Sequence, residues 1–273
     1  MVNYNTNEQV YNVRENEALL TQVASVVCVL VQRGLFIAGF SVTNELLTIQ
    51  YSGYNRNRPV WELDFFEHIF SNEIILAEKD KVKGVFINSD KSLIVPEELY
   101  MEEAAKTWLG KIHFVEKSDT ITNYPVNDEN ATFVHATPVN ITELVKIHFR
   151  QAQVLPLAMY QLRNPNKRPL SMQLCVTSEQ VCVAVHRAGQ LQWHKVFGFS
   201  SAEDIAYSLN LFCKENNIDA TGLHVTCGAL SASEYDRINE LTQYFPGIIT
   251  SNGPINSVWH PAISLSQQLL SCV

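Results

Sequence analysis

Residues 25–51 read SVVCVLVQRGLFIAGFSVTNELLTIQY, and this stretch decides the fold. Three runs, at 25–31, 35–42 and 46–51, are rich in Val, Ile, Leu and Phe. The first two are apolar at odd and even positions alike. A strand with that pattern is covered on both faces and belongs in the middle of a layered sheet. The breaks, Gln32-Arg33-Gly34 and Thr43-Asn44-Glu45, are short and polar. Connections of that length join antiparallel neighbours, so the stretch reads as a three-strand meander.

The same pattern returns later. Residues 170–197 read LSMQLCVTSEQVCVAVHRAGQLQWHKVF, with strands at 170–176, 181–186 and 190–197 and a hairpin loop at Arg187-Ala188-Gly189. Each meander is followed by helix, strand, helix. After the first, Pro59 is placed to open a helix carrying Trp61, Phe65, Phe66, Ile69 and Phe70 at helical spacing. Strands follow at 82–88 and 92–95, and a helix at 96–109. Its acids Glu97, Glu98, Glu102 and Glu103 suit a helix dipole better than a carboxylate site. A hairpin at 121–126 and 131–136 turns through Asn127-Asp128-Glu129-Asn130, and a helix at 140–150 has Asn140 or Thr142 as its cap. After the second meander, Ser200, Ser201, Glu203 and Asp204 start a helix to about residue 215. A strand at 223–227, a helix at 231–245, a strand at 248–250 and a last helix from Pro261 complete the pattern. The polar stretch 164–169, with two prolines, is the candidate linker, and Arg163, Lys167 and Arg168 beside it form a small basic cluster suited to a solvated hinge or an acidic partner. The domains expected are therefore an N-terminal extension at 1–23, with 1–14 polar and poorly ordered, a first unit at 24–165 with an inserted hairpin, and a second at 166–273.

Composition bounds the function. The chain has 273 residues, with 20 Lys+Arg against 28 Asp+Glu, a net charge of −8. At 46 % hydrophobic and 18 % charged it is neither disordered nor fibrous. The acidic balance argues against a nucleic-acid binder. No basic start leads into an apolar region, and the apolar run at 18–31 is too short to span a bilayer, so neither a signal peptide nor membrane insertion is expected. Six cysteines without a C-x-x-C read as buried free thiols in a cytoplasmic protein.

A meander followed by alternating helices and strands, used twice, resembles the duplicated ribonuclease-H-like architecture of actin, sugar kinases and chaperone ATPase domains. The segments LIVPEELYMEE (93–103), VHRAGQLQWHKVFGFSSAEDIAYSL (185–209) and LHVTCGALSASEYDRINEL (223–241) resemble, in order and spacing, a bacterial family of unknown function with an actin-like ATPase fold. The resemblance implies an α/β fold with mixed sheets and two ribonuclease-H-like subdomains. It implies no activity, because that family has no established biochemical role.

Active members of that superfamily place phosphates on Asp-x-Gly turns, where glycine admits the phosphates and aspartate holds magnesium. Here the first such turn has Arg33 and Gly34 but no aspartate. The second has Thr177, Ser178 and Glu179 but no glycine. The adenosine loop reduces to Gly228 with Ser231. Arg33, Gly34, Thr177, Ser178, Gly228 and Ser231 are the candidate residues of an inter-domain cleft, with no catalytic or metal-binding set. His194 and Cys182 should approach each other across the second hairpin. The expectation is a pseudo-ATPase without a resident cofactor, acting through a protein partner, with homo-oligomerisation left open. The alternative is a divergent nucleotide-binding ATPase or small-molecule kinase using Mg-ATP.

Overall fold

The computed structural model describes residues 7–12, 17–126, 130–250 and 256–273. β1 (Asn7–Asn12) precedes the meander β2 (Ser25–Val31), β3 (Gly34–Phe40) and β4 (Leu46–Gly53). After α1 (Leu63–Asn72), β5 (Val82–Ile87) lies parallel to β2. Then come β6 (Ser92–Pro96), α2 (Ala105–Gly110), β7 (Asp119–Val126), β8 (Ala131–Pro138), α3 (Val139–His148), β9 (Gln153–Pro156) and α4 (Met159–Arg163). The first large sheet is six-stranded, in the order β1-β4-β3-β2-β5-β9. Residues 26–30 of β2 are fully buried, as a strand covered on both faces must be.

The second half repeats the plan. β10 (Ser171–Val176), β11 (Gln180–Arg187) and β12 (Gln190–Gly198) form the meander, followed by α5 (Ala202–Glu215), β13 (His224–Ala229), α6 (Tyr235–Leu241) and α7 (His260–Leu270). β13 runs parallel to β10, as β5 does to β2. The four-stranded order is β12-β11-β10-β13.

Three apolar layers hold this together. Phe65, Phe66, Ile69 and Phe70 of α1 and Ile141 and Val145 of α3 cover one face of the first sheet. Ile205, Leu209 and Phe212 of α5 and Ile238 and Leu241 of α6 cover one face of the second. The remaining faces meet in a shared core, where Val27, Val29 and Phe36 join Cys175, Cys182 and Val196 around Tyr160, Leu162 and Leu265. α7 packs on β13 of the second half and on β2 and β4 of the first.

Several local expectations change. Residues 7–12, expected to be poorly ordered, pair along β4 as an edge strand. Their sequence, NEQVYN, has no apolar run because an edge strand needs none. The inserted hairpin is a three-stranded sheet, β6-β8-β7, because the short strand at 92–96 joins it rather than the main sheet. The turn expected at Asn127-Asp128-Glu129 lies outside the described residues. The helix expected over 96–109 is broken: extended Tyr100 and Met101 separate two 3-10 turns, and α2 follows them. Tyr100 packs beside Leu93, Val95 and Leu109. α1 starts at Leu63 rather than Pro59, since Trp61 takes a φ of 59° and gives its N–H to the Gln32 carbonyl. Neither Asn140 nor Thr142 caps α3; the Thr142 hydroxyl points back to the Pro138 carbonyl. The strand expected at 248–250 is one parallel bridge, Thr226 to Ile249, and the helix at 231–245 shortens to α6 behind a 3-10 turn.

The segment at 164–169 is tied down at several points. Gln173 donates to the Asn164 carbonyl, Ala188 to the Arg168 carbonyl, and Arg163 to the Cys272 carbonyl. All six cysteines are buried free thiols. Among the described residues no helix is long and apolar enough to cross a membrane.

Candidate functional site

The two meanders bring their first turns face to face. In β2–β3, Val31 pairs with Gly34, leaving Gln32-Arg33 as a two-residue turn. The Tyr54 hydroxyl donates to the Gln32 carbonyl, and the Tyr54 N–H to the Arg33 carbonyl. In β10–β11 the Thr177 hydroxyl donates to the Gln180 carbonyl and accepts from the Gln180 N–H, closing the turn on itself.

Side chains bridge the two turns. Arg33 Nη1 lies 2.5 Å from Glu179 Oε2, and Arg56 Nε lies 3.0 Å from Glu179 Oε1. Arg33 Nε donates to the Arg58 carbonyl at 3.1 Å, which orients its guanidinium. Asn88 donates to Gln180 Oε1 at 2.8 Å in a buried bond between the halves. The Tyr51 hydroxyl meets the Ser178 side chain, and burial pushes the Tyr51 phenol up to about 12, the Ser178 bond opposing.

This ionic bridge divides the cleft. On one side is a cavity of about 470 Å³ lined by Arg33, Arg56, Arg237, Glu179, Glu234 and Tyr51, among others. Arg237 pairs with Glu234 at 2.5 Å, and burial raises the Glu234 carboxyl despite that guanidinium. On the other side lie Asp90, Asp204 and Ser200. Asp204 is already committed: it accepts from the Ser200 and Ser201 N–H groups in the α5 capping box.

Of the six residues expected in the cleft, Arg33 and Ser178 line this cavity. Gly34 serves packing: a Cβ there would sit 2.6 Å from the Tyr51 hydroxyl oxygen. Thr177 is consumed by its own turn. Gly228 lies in β13 under α7, where a Cβ would come 3.1 Å from Leu265 Cβ. Ser231 is buried and bonds to Ser233. The sequence reading missed Arg56, Tyr51, Glu234 and Arg237. Arg56 sits in a polar loop with no pattern of its own, and Arg237 and Glu234 resemble any charged pair on a helix start.

The arrangement does not fit Mg-ATP as the superfamily holds it. Neither turn carries an aspartate, and both Glu179 oxygens are taken by arginines. No group of three or more His, Cys, Asp or Glu among the described residues could hold a metal ion. Nor is the His194–Cys182 pair a nucleophilic dyad. Cys182 pairs with Val196 in the β11–β12 register, and its Sγ reaches diagonally to within 3.4 Å of His194 Nε2 while donating to Gln161 Oε1 at 3.0 Å. Burial pushes His194 down to about 3 and the Cys182 thiol well up, so both stay neutral.

The sequence profile of a family described as "Protein of unknown function (DUF3822)" matches residues 28–248. Among solved structures, one is a Bacteroides thetaiotaomicron protein described as having an actin-like ATPase fold and unknown function. It aligns with a TM-score of 0.70 at 15 % identity, covering 94 % of this chain and 99 % of that one. Another is a PilM-PilN type IV pilus biogenesis complex, with a TM-score of 0.61 at 12 % identity, covering 92 % and 99 %. The fold is thus that of actin-like ATPases. No curated protein matches the chain.

Proposed function

The chain belongs to the DUF3822 family of unknown function, and from that premise we propose that it is a pseudo-ATPase acting through protein contacts. The observation that carries this is the Arg33–Glu179–Arg56 bridge, which stands between the two turns where the superfamily places phosphate and magnesium. A phosphate site without its aspartates and glycines loses most of its electrostatic stabilisation. The shared apolar core supports the same reading, because halves fused by one core are poorly suited to opening and closing around a nucleotide. Support for a partner comes from the pilus relative, which is a complex of two proteins. The compartment proposed is the cytoplasm.

Calorimetric titration with Mg-ATP, Mg-ADP and Mg-GTP tests the reading. The expected result is no heat and no thermal shift. Stabilisation of about 2.7 kcal/mol at a hundredfold excess over the dissociation constant would overturn it. The chain should also retain the same stoichiometric protein partner in extract of its own host, with or without added nucleotide.

A second reading, a divergent nucleotide-binding ATPase or small-molecule kinase, draws on the three arginines lining the 470 Å³ cavity. The same titration separates the two.

A further inference from the structure

We propose that Arg33 and Arg56 form an oxyanion site which the chain fills in cis with the Glu179 carboxylate, and for which a phosphate dianion competes. This rests on the reading above only in that the cleft is closed in the resting protein.

The geometry is that of a clamp. Two guanidinium groups each take one of the two Glu179 oxygens, at 2.5 and 3.0 Å. Adjacent oxygens of a phosphate present the same spacing and more charge. Arg33 keeps its orientation without Glu179, because its Nε is held by the Arg58 carbonyl. The Arg56 side chain is 59 % exposed, so it can follow an incoming group. Approach is from the Arg237 side, where the cavity has room for more than one phosphate. From the opposite side Asp90 and Asp204 repel an anion. On the favourable side three arginines, Arg33, Arg56 and Arg237, face two carboxylates, Glu179 and Glu234, a balance of 3 − 2 = +1. Removing the Glu179 charge raises it to about +2 in a concave site, where a field of one sign is focused.

The β10–β11 turn does not depend on the Glu179 side chain. Thr177 closes it, Asn88 holds Gln180, and the Phe199 N–H reaches the Glu179 backbone carbonyl. Glu179→Ala and Glu179→Gln should therefore fold, which makes the test direct. Magnesium-free pyrophosphate is titrated calorimetrically, at low ionic strength, into the wild-type chain, E179A, E179Q and R33A/E179A. The expected result is binding at least tenfold tighter in E179A and E179Q than in the wild type, with R33A/E179A returned to the wild-type level. Equal affinities of wild type and both single variants would overturn the proposal, and so would a double variant that binds as tightly as E179A. ADP titrated alongside identifies the source of the oxyanion. Affinity in E179A equal to that for pyrophosphate indicates phosphate read alone, and tighter binding that R33A also removes indicates a nucleotide phosphate. Nucleotide binding by the wild type would sink the preceding reading and leave this test intact.

Discussion

The two halves of the molecule meet in two places with opposite chemistry. Behind the cleft they share an apolar layer of Phe133, Tyr160, Leu162, Cys182, Val196 and Leu265. At its mouth they touch through Arg33, Arg56 and Glu179. Burial of apolar area supplies stability without much direction. An ion pair near the surface supplies direction with little net stability, since desolvation offsets most of the attraction. The seam therefore holds the halves together, and the bridge fixes how the two turns face each other.

The largest expected effect tests the seam. Phe133 is fully buried, stacks on His135 at 6.0 Å and meets His194 edge-on at 5.3 Å. Phe133→Ala should lower unfolding free energy by about 3–5 kcal/mol in urea melts, through lost transfer energy and the cavity left behind. A loss smaller than that of the bridge variants would reverse the assignment of roles.

Acid attacks the same seam. Burial holds His135 and His194 at about 3, below the ordinary histidine value of 6.5, and His135 Nε2 has no partner. Between about pH 6.5 and 3 the unfolded chain binds protons that the folded chain refuses. Stability is thus fully present above 6.5 and falls as pH drops toward 3, by roughly 1 kcal/mol per pH unit for each histidine. Melts from pH 7 to 4 should show this slope, and His135→Phe should reduce it. An unchanged slope would mean that the seam opens before these rings titrate.

The bridge should give a smaller figure. A double-mutant cycle on Arg33→Ala and Glu179→Ala should return a coupling of about 1 kcal/mol, reduced by added salt. The two side chains are only 17 % and 16 % exposed, so the coupling should exceed that of an open surface pair. A value near zero would mean that the Arg33–Glu179 pair adds no stability to the contact between the halves.

How much of this was legible in the sequence follows from the same contrast. Residues 25–51 and 170–197 carry an apolar pattern that physics reads directly, because a strand buried on both faces has few alternatives. The approach of Cys182 to His194 was legible because both side chains share one face of the hairpin, although Cys182 pairs with Val196 and the two meet on the diagonal. β1 left no trace, since an edge strand packed on one side can be polar. In the cleft, the absence of aspartate at Arg33 and Glu179 was visible, but their pairing was not. That pairing joins positions 146 residues apart through a fold in which two turns converge. Gly34, in the first turn, and Gly228, in the expected adenosine loop, are sites of close packing under Tyr51 and Leu265.

The smallest effect compares the hairpins of the two halves at positions where the chain must turn left-handed. In the first meander Asn44 takes a φ of 62°, with Ser41 Oγ accepting from the Thr43 and Glu45 N–H groups. In the second, Arg187 pairs with Gln190, so the loop is two residues, not the three expected, and Ala188 and Gly189 carry φ values of 51° and 86°. Asparagine tolerates this region, whereas alanine is strained there by about 1–2 kcal/mol. Glycine would relieve the strain but gives back part of the gain through unfolded-chain entropy. Ala188→Gly should therefore stabilise the protein by about 0.5–1 kcal/mol, while Asn44→Gly should be close to neutral. Ala188 is exposed and its N–H reaches the Arg168 carbonyl, a contact glycine keeps. If Ala188→Gly destabilised instead, the alanine methyl would have to be holding the 164–169 segment in place, and that segment would gain a role in joining the halves.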